Sequence, residues 1–285
     1  MDTAASIPSR HAVPVVREIS CKTVLNKCSI SDYSLNCYVG CAHGCAYCYA
    51  RYMQRFHPHQ EPWGCFVDVK TNAVEVLKRQ VRRLPPGSVF MSSACDGWQP
   101  LERTWELTRD CCRILLEHGF RVQALTKSAL ILRDLDIFAN GNARIGVTVT
   151  TPDERLAALW EPGASTVAER FDVLARARDA GIETSIMFGP LLPFLSDSEA
   201  SLDALFALAA RHQVDVIWVD TLNPRPKVWE SVRAMVHREF PELEERYRRM
   251  LFAPVVRTAY VNALREWVHR AARKYGVLDR VAGCP

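Results

Sequence analysis

Three cysteines, Cys41, Cys45 and Cys48, stand in the run Cys37-Tyr-Val-Gly-Cys41-Ala-His-Gly-Cys45-Ala-Tyr-Cys48-Tyr49 with the spacing CxxxCxxC. Thiolates are soft ligands suited to iron–sulfur clusters, and three of them on one glycine-bearing loop can each take one iron of a cubane. The fourth iron is then open. A ferredoxin supplies four cysteines and closes its cluster for electron transfer, whereas an open iron can bind a substrate. The same residues admit a structural zinc site, with Cys37 or His43 completing a closed tetrahedron. Zinc ligands usually arrive as two separated pairs, but here they crowd one loop. Zinc also has no need of the aromatic Tyr47 before the last cysteine.

The elements that must hold this loop belong to an ordinary globular chain of 285 residues, 48% hydrophobic and 24% charged, which excludes disordered and fibrous classes. Lys and Arg total 36 against 32 Asp and Glu, and a formal charge of +4 is too slight to mark a nucleic-acid or membrane binder. No apolar run approaches the roughly 20 residues that span a bilayer, and Met1 to Arg10 lacks a signal peptide's apolar stretch, so a cytoplasmic protein without membrane partners is expected. In a reducing cytosol, eleven cysteines read as ligands, catalytic groups or core residues rather than as a disulfide framework.

Short β-branched runs near Leu35 to Val39 and at Ser88–Ser93, Arg121–Thr126, Ala143–Thr150, Glu183–Phe188 and Val214–Asp220 predict six strands. Helical periods over Asn72–Leu84, Thr104–His118, Leu130–Ala139, Val167–Ala180 and Ser198–His212 alternate with them. Gly119 and Gly181 sit where a helix end needs a left-handed residue, and Ser128 and Ser198 where N-caps are expected. Such alternation means parallel strands with right-handed crossovers. The predicted fold is α/β, a partial (β/α)6 TIM-type barrel over 34–222, preceded by an N-terminal arm (1–33) and closed by a helical C-terminal cap (223–285) with helices over Lys227–Phe240 and Thr258–Tyr275.

CxxxCxxC with an aromatic before its last cysteine, opening an alternating β/α chain, resembles the radical S-adenosylmethionine enzymes. The resemblance implies a [4Fe–4S] cluster on Cys41, Cys45 and Cys48, whose open iron chelates the amino and carboxylate groups of S-adenosylmethionine. One electron then yields methionine and a 5′-deoxyadenosyl radical, which calls for a reductant of flavodoxin or ferredoxin type. Tyr47 occupies the place of the family's adenine neighbour. The likeness extends to the spore photoproduct lyase-like branch through Asn36–Arg51 (NCYVGCAHGCAYCYAR), Ser92–Glu102 (SSACDGWQPLE), Leu125–Ser128 (LTKS), Thr148–Pro152 (TVTTP) and Glu161–Arg170 (EPGASTVAER). It implies Lys127 near the cofactor carboxylate, a Thr148 hydroxyl near the cofactor, and Ser93 and Asp96 at the methionyl amine. It also implies that Cys95 returns a hydrogen atom to the product radical with Tyr49 in the relay, in a carbon–carbon lyase that repairs thymine dimers in DNA. Relatives with this core modify small metabolites, RNA or protein.

Bland readings stand beside these. Lys127 can be a solvated lysine opening a helix, Cys95 a buried strand-end thiol, and Cys111 and Cys112 small core hydrophobes. The basic and aromatic mixture from Arg51 to His59 suits base stacking but equally an ordinary helix surface. An electron-transfer or zinc protein is the rival of another class, and it would not cleave S-adenosylmethionine.

Overall fold

A computed structural model describes residues 13–225 and 227–285, so residues 1–12 of the predicted arm and Pro226 lie outside the described residues. The strands, in chain order, are β1 (Val15–Ile19), β2 (Leu25–Lys27), β3 (Tyr33–Leu35), β4 (Tyr38–Val39), β5 (Phe66–Lys70), β6 (Ser88–Met91), β7 (Arg121–Thr126), β8 (Ala143–Thr148), β9 (Glu183–Leu191), β10 (Val216–Thr221) and β11 (Val281–Gly283). Strands β3, β6, β7, β8, β9 and β10 lie side by side in that order and all run parallel, forming the partial (β/α)6 barrel expected from the sequence. Antiparallel β2 and parallel β11 flank its two edges.

Strands β3, β8 and β9 are buried almost throughout, whereas β6, β7 and β10 alternate buried residues with half-buried or exposed ones. Val147 pairs with Ile186 and Ile186 with Ile217, and all three are fully buried. The crossovers are helices α1 (Ala73–Val81), α2 (Glu102–Trp105), α3 (Leu107–Glu117), α4 (Leu135–Phe138), α5 (Glu154–Trp160), α6 (Val167–Asp179) and α7 (Glu199–Arg211). Gly119 and Gly181 end α3 and α6 at φ +77° and +75°, a conformation that costs an L side chain energy. Helix α6 opens with a capping box, in which Glu169 N–H donates to Thr166 Oγ1 at 3.2 Å and Thr166 N–H to Glu169 Oε2 at 2.8 Å.

The chain leaves the barrel at Asn36. Its side chain accepts from Ala94 N–H at 2.7 Å and donates to Ser93 Oγ at 2.9 Å, and the run read as one strand over Leu35–Val39 splits there into β3 and β4. Strand β4 joins a second sheet, ordered β1-β5-β4, from which it feeds into the cysteine loop. The segment read as an arm therefore contributes β1 to this sheet and β2 to the barrel edge.

The tail is helical, with α8 (Val228–Glu239), α9 (Glu244–Phe252) and α10 (Pro254–Lys274). Val232, Met235, Tyr247 and Met250 pack with Cys45, Ala46 and Tyr47 of the cysteine loop, so α8 and α9 cover the barrel mouth, while Leu264 and Val268 of α10 join the main core. No helix among the described residues is long and apolar enough to cross a membrane.

Candidate active site

The cysteine loop is built from two tight turns, with Gly44 N–H donating to Cys41 O and Cys48 N–H to Cys45 O, both at 3.2 Å. Gly40 enters it at φ +86° with its α-carbon so close to Phe66 that a β-carbon would sit 2.5 Å from the Phe66 carbonyl oxygen. Gln99 holds one side, its Oε1 accepting from Ala42 N–H at 2.8 Å. The turn after α5 holds the other, through Ala46 N–H to Trp160 O at 2.9 Å and Gly163 N–H to His43 O at 3.0 Å. Only glycine fits at Gly163, where a β-carbon would lie 2.4 Å from Ala42 O.

The three thiols line one wall of a cavity of about 430 Å³ at the C-terminal ends of the barrel strands. That volume lies within the usual range for small-ligand sites, roughly 300–1,000 Å³. Burial pushes the Cys45 thiol up to about 12 and raises Cys41 and Cys48 as well, while Lys127 opposes the rise at Cys45 and Cys48. All eleven cysteines are free. Cys37 lies in the core instead, with its Sγ 3.8 Å from Cys111 Sγ, and His43 faces Asp96 at 3.4 Å. The two residues that could complete a zinc tetrahedron are thus engaged elsewhere, Cys37 with Cys111 and His43 with Asp96.

The residues that the resemblance assigned to the cofactor and the substrate border the same cavity: Tyr47, Tyr49, Ser93, Cys95, Asp96, Lys127 and Thr148. Asp96 is bound from all sides, accepting from Trp98 N–H (2.9 Å), Thr126 Oγ1 (2.7 Å) and Lys127 N–H (2.8 Å). Burial raises its pKa, but His43 and these donors outweigh that effect and hold it well below the usual carboxylate range. Its carboxylate thus fastens the ends of β6 and β7 to the cysteine loop. The Lys127 ammonium sits 5.7 Å from the centre of the Tyr47 ring. Burial pushes the Cys95 thiol far up, and its Sγ points to Asn36 Oδ1 at 3.6 Å, so Cys95 keeps its proton at neutral pH. Tyr49 donates its hydroxyl to the Ser93 carbonyl, carries the Arg225 guanidinium 5.6 Å from its ring, and is pushed up to about 12, chiefly by burial.

The sequence profile of the Radical SAM superfamily matches residues 35–206, well over half the chain and all of the parallel barrel up to α7. The chain belongs to the radical SAM superfamily. An uncharacterized protein of Mycobacterium tuberculosis is 31% identical over 284 residues, covering 93% of this chain and 81% of the relative. An uncharacterized protein of Methanocaldococcus jannaschii is 31% identical over 185 residues, covering 64% of this chain and 70% of the relative. Spore photoproduct lyase with bound AdoMet and dinucleoside spore photoproduct superposes with a TM-score of 0.71 over 98% of this chain and 86% of the lyase, at 16% identity. That last match shows a shared fold.

Superfamily membership implies S-adenosylmethionine and an iron–sulfur cluster, and the donor set here fits both. Three thiols, whose protons metal binding would displace, and the Lys127 ammonium all border the one cavity. Two buried N–H groups beside the thiols, Trp63 Nε1 and Arg51 Nε, have no partner among the described residues.

The radical SAM barrel also relies on residues that sequence reasoning did not single out. Glu161 and Arg170, quoted only as part of a resembling segment, form a buried ion pair 2.5 Å apart whose angle falls outside hydrogen-bond geometry. Glu161 accepts from the Tyr47 hydroxyl and, at 2.8 Å, from Thr150 Oγ1, while Arg170 donates to Thr148 O and Ser165 O, both at 2.9 Å. The wall carrying Tyr47 and the end of β8 is thereby tied together from beneath. His59, read as part of a basic surface, is buried between Glu61 (3.2 Å) and Asp68 (3.0 Å) and stacked on Phe66, while Phe56 is exposed.

Proposed function

We propose that this chain is a radical SAM enzyme of the lyase-like kind: it holds a [4Fe–4S] cluster on Cys41, Cys45 and Cys48, abstracts a hydrogen atom from its substrate, and returns one from Cys95. The observation that carries this reading is the convergence of ten residues from four stretches of sequence on one cavity. When bound, the cluster and S-adenosylmethionine supply a 5′-deoxyadenosyl radical. Lys127 binds the cofactor carboxylate, Tyr47 borders the adenine, Ser93 and Thr148 offer hydroxyls, and Asp96 fixes the Lys127 backbone. A protonated Cys95 would donate a hydrogen atom because an S–H bond is weaker than the C–H bond it makes, leaving a thiyl radical, and the Tyr49 hydroxyl would lie in the relay that returns a hydrogen atom to it from 5′-deoxyadenosine. The reductant is a flavodoxin- or ferredoxin-type protein, and eleven free cysteines suit a reducing cytoplasm.

For the substrate we propose a crosslinked thymine dimer in DNA, supported by the fold shared with a lyase whose structure holds the dinucleoside photoproduct. The test is anaerobic incubation of the reduced, reconstituted protein with S-adenosylmethionine and the dinucleotide. Conversion to thymidines with release or consumption of 5′-deoxyadenosine supports it. Deoxyadenosine without conversion assigns the enzyme to a metabolite, RNA or protein substrate, and none at all sinks the radical reading.

Two substitutions sharpen this. Lys127→Ala should weaken S-adenosylmethionine binding about tenfold or more, since a hydrogen bond to a charged group contributes about 1.5–3 kcal/mol; equilibrium dialysis showing unchanged affinity would remove Lys127 from the site. Cys95→Ala should keep the cluster and still make 5′-deoxyadenosine while diverting the substrate radical to abnormal products. Normal product at the normal rate by chromatography would reject Cys95 as donor.

A further inference from the structure

Trp63 and Arg51 flank the cysteine loop and are not explained by it. Trp63 is 2% exposed and packs with Cys41, Ala50, Phe66 and Cys48, yet its indole N–H is fully buried without a partner among the described residues. Arg51 donates one Nη2–H to Cys45 O at 3.3 Å and lies 6.0 Å from the Trp63 ring, and its Nε–H is likewise buried and unpaired. Leaving a buried donor unsatisfied costs about 1–3 kcal/mol, more for a charged group. Two such donors at one spot are therefore unlike the rest of a well-satisfied loop. Both lie against the same loop, Trp63 packed on Cys41 and Cys48 and Arg51 on the Cys45 carbonyl.

We infer that Trp63 Nε1–H and Arg51 Nε–H are donors to the sulfurs of a cluster bound at Cys48, and that they set its reduction potential. The inference rests on the cluster assignment made above. Hydrogen bonds to sulfur and net charge tune iron–sulfur potentials. Donors and a buried cation favour the more negative, reduced state, so they ease the electron transfer that must precede cofactor cleavage. In this arrangement Trp63 and Arg51 are positioning residues that act through the cluster ligand and touch no substrate.

The test is a potentiometric titration followed by EPR on the anaerobically reconstituted full chain. Trp63→Phe, which keeps the ring and deletes the N–H, and Arg51→Gln should each move the midpoint negative by about 59 mV, a tenfold fall in the reduced-to-oxidised ratio at fixed potential. A fully loaded variant that titrates with the wild type overturns the inference. Should either variant fail to load, wild-type protein made with 15N-indole tryptophan decides: pulsed EPR of the reduced cluster should show a coupled nitrogen, and its absence overturns the role of Trp63. A wild-type protein that takes up no iron would instead defeat the cluster assignment, so the two failures are distinguishable.

Discussion

Cys41→Ala, Cys45→Ala or Cys48→Ala, each alone, should abolish the brown iron–sulfur absorbance and all 5′-deoxyadenosine formation, while Cys111→Ala and Cys37→Ala leave both intact. Ligand number decides the outcome: two thiolates anchor a cubane too weakly against exchange and oxidation. Cys37 is the informative control because it precedes Cys41 by four residues and was the candidate fourth ligand of a zinc site. Its sulfur sits in the core against Cys111, where that hydrogen bond and then burial raise the thiol well above its ordinary value, and it does not border the cavity. Iron, sulfide and zinc analysis of the reconstituted proteins measures the result. A full cluster in Cys45→Ala, or metal lost in Cys37→Ala, would overturn the three-ligand assignment.

The six barrel strands were legible by two signals: β8 and β9 are apolar and buried along nearly their whole length, while β6, β7 and β10 alternate buried apolar residues with outward ones. The small sheet was not, because β4 is only two residues long and β1 is largely exposed, so neither carries a period. The helix read over Thr104–His118 is interrupted by Glu106 at φ +49°, and its cause is tertiary. The buried Glu102 carboxylate accepts from Thr108 N–H at 3.1 Å and Arg109 N–H at 3.0 Å, capping α3 from a position no local signal marks. Over Leu130–Ala139 a 3-10 turn (Ala129–Asp134) precedes the short α4, with Asp134 drawn inward by the Trp98 indole at 2.8 Å and Arg109 at 2.9 Å. Helix α5 was overlooked although Asp153 accepts from Arg155 N–H at 2.8 Å, a cap that an Asp-Glu pair before an apolar run could have revealed.

Residues of the candidate site were legible to the extent that they follow a motif or end a strand. Cys41, Cys45 and Cys48 announce themselves by spacing, and Lys127 and Thr148 by their place at the ends of β7 and β8. Glu161 and Arg170 are invisible to such reasoning, since a Glu and an Arg nine positions apart read as surface charge. Only the fold brings them under Tyr47. Trp63 and Arg51 are hidden for a related reason: their significance lies in a missing partner, which no sequence pattern encodes.

Arg170→Met should lower the unfolding free energy of the metal-free protein by about 3–5 kcal/mol, the usual consequence of removing one partner of a buried ion pair. Native domains hold only about 5–15 kcal/mol in all, so the loss is a large share. Both side chains are essentially inaccessible to water, which leaves Glu161 charged and without its counter-ion, and the carbonyls of Thr148 and Ser165 without their donors. Glu161→Gln should also be destabilising, because it leaves the buried Arg170 guanidinium without its counter-ion, although the amide still accepts from Tyr47 and Thr150 and Arg170 keeps the Thr148 and Ser165 carbonyls. The double substitution Glu161→Gln with Arg170→Met should recover part of the loss, since the uncompensated carboxylate is then gone and the two sites are directly coupled. Urea denaturation in reducing buffer measures all three. The effect should also reach the site in Glu161→Ala, which deletes the acceptor outright: Tyr47 then loses this hydrogen-bond partner, and cofactor affinity should fall. A loss under about 1 kcal/mol in Arg170→Met would mean that water or a rearranged side chain reaches Glu161, and the pair would then not be the brace beneath the cavity.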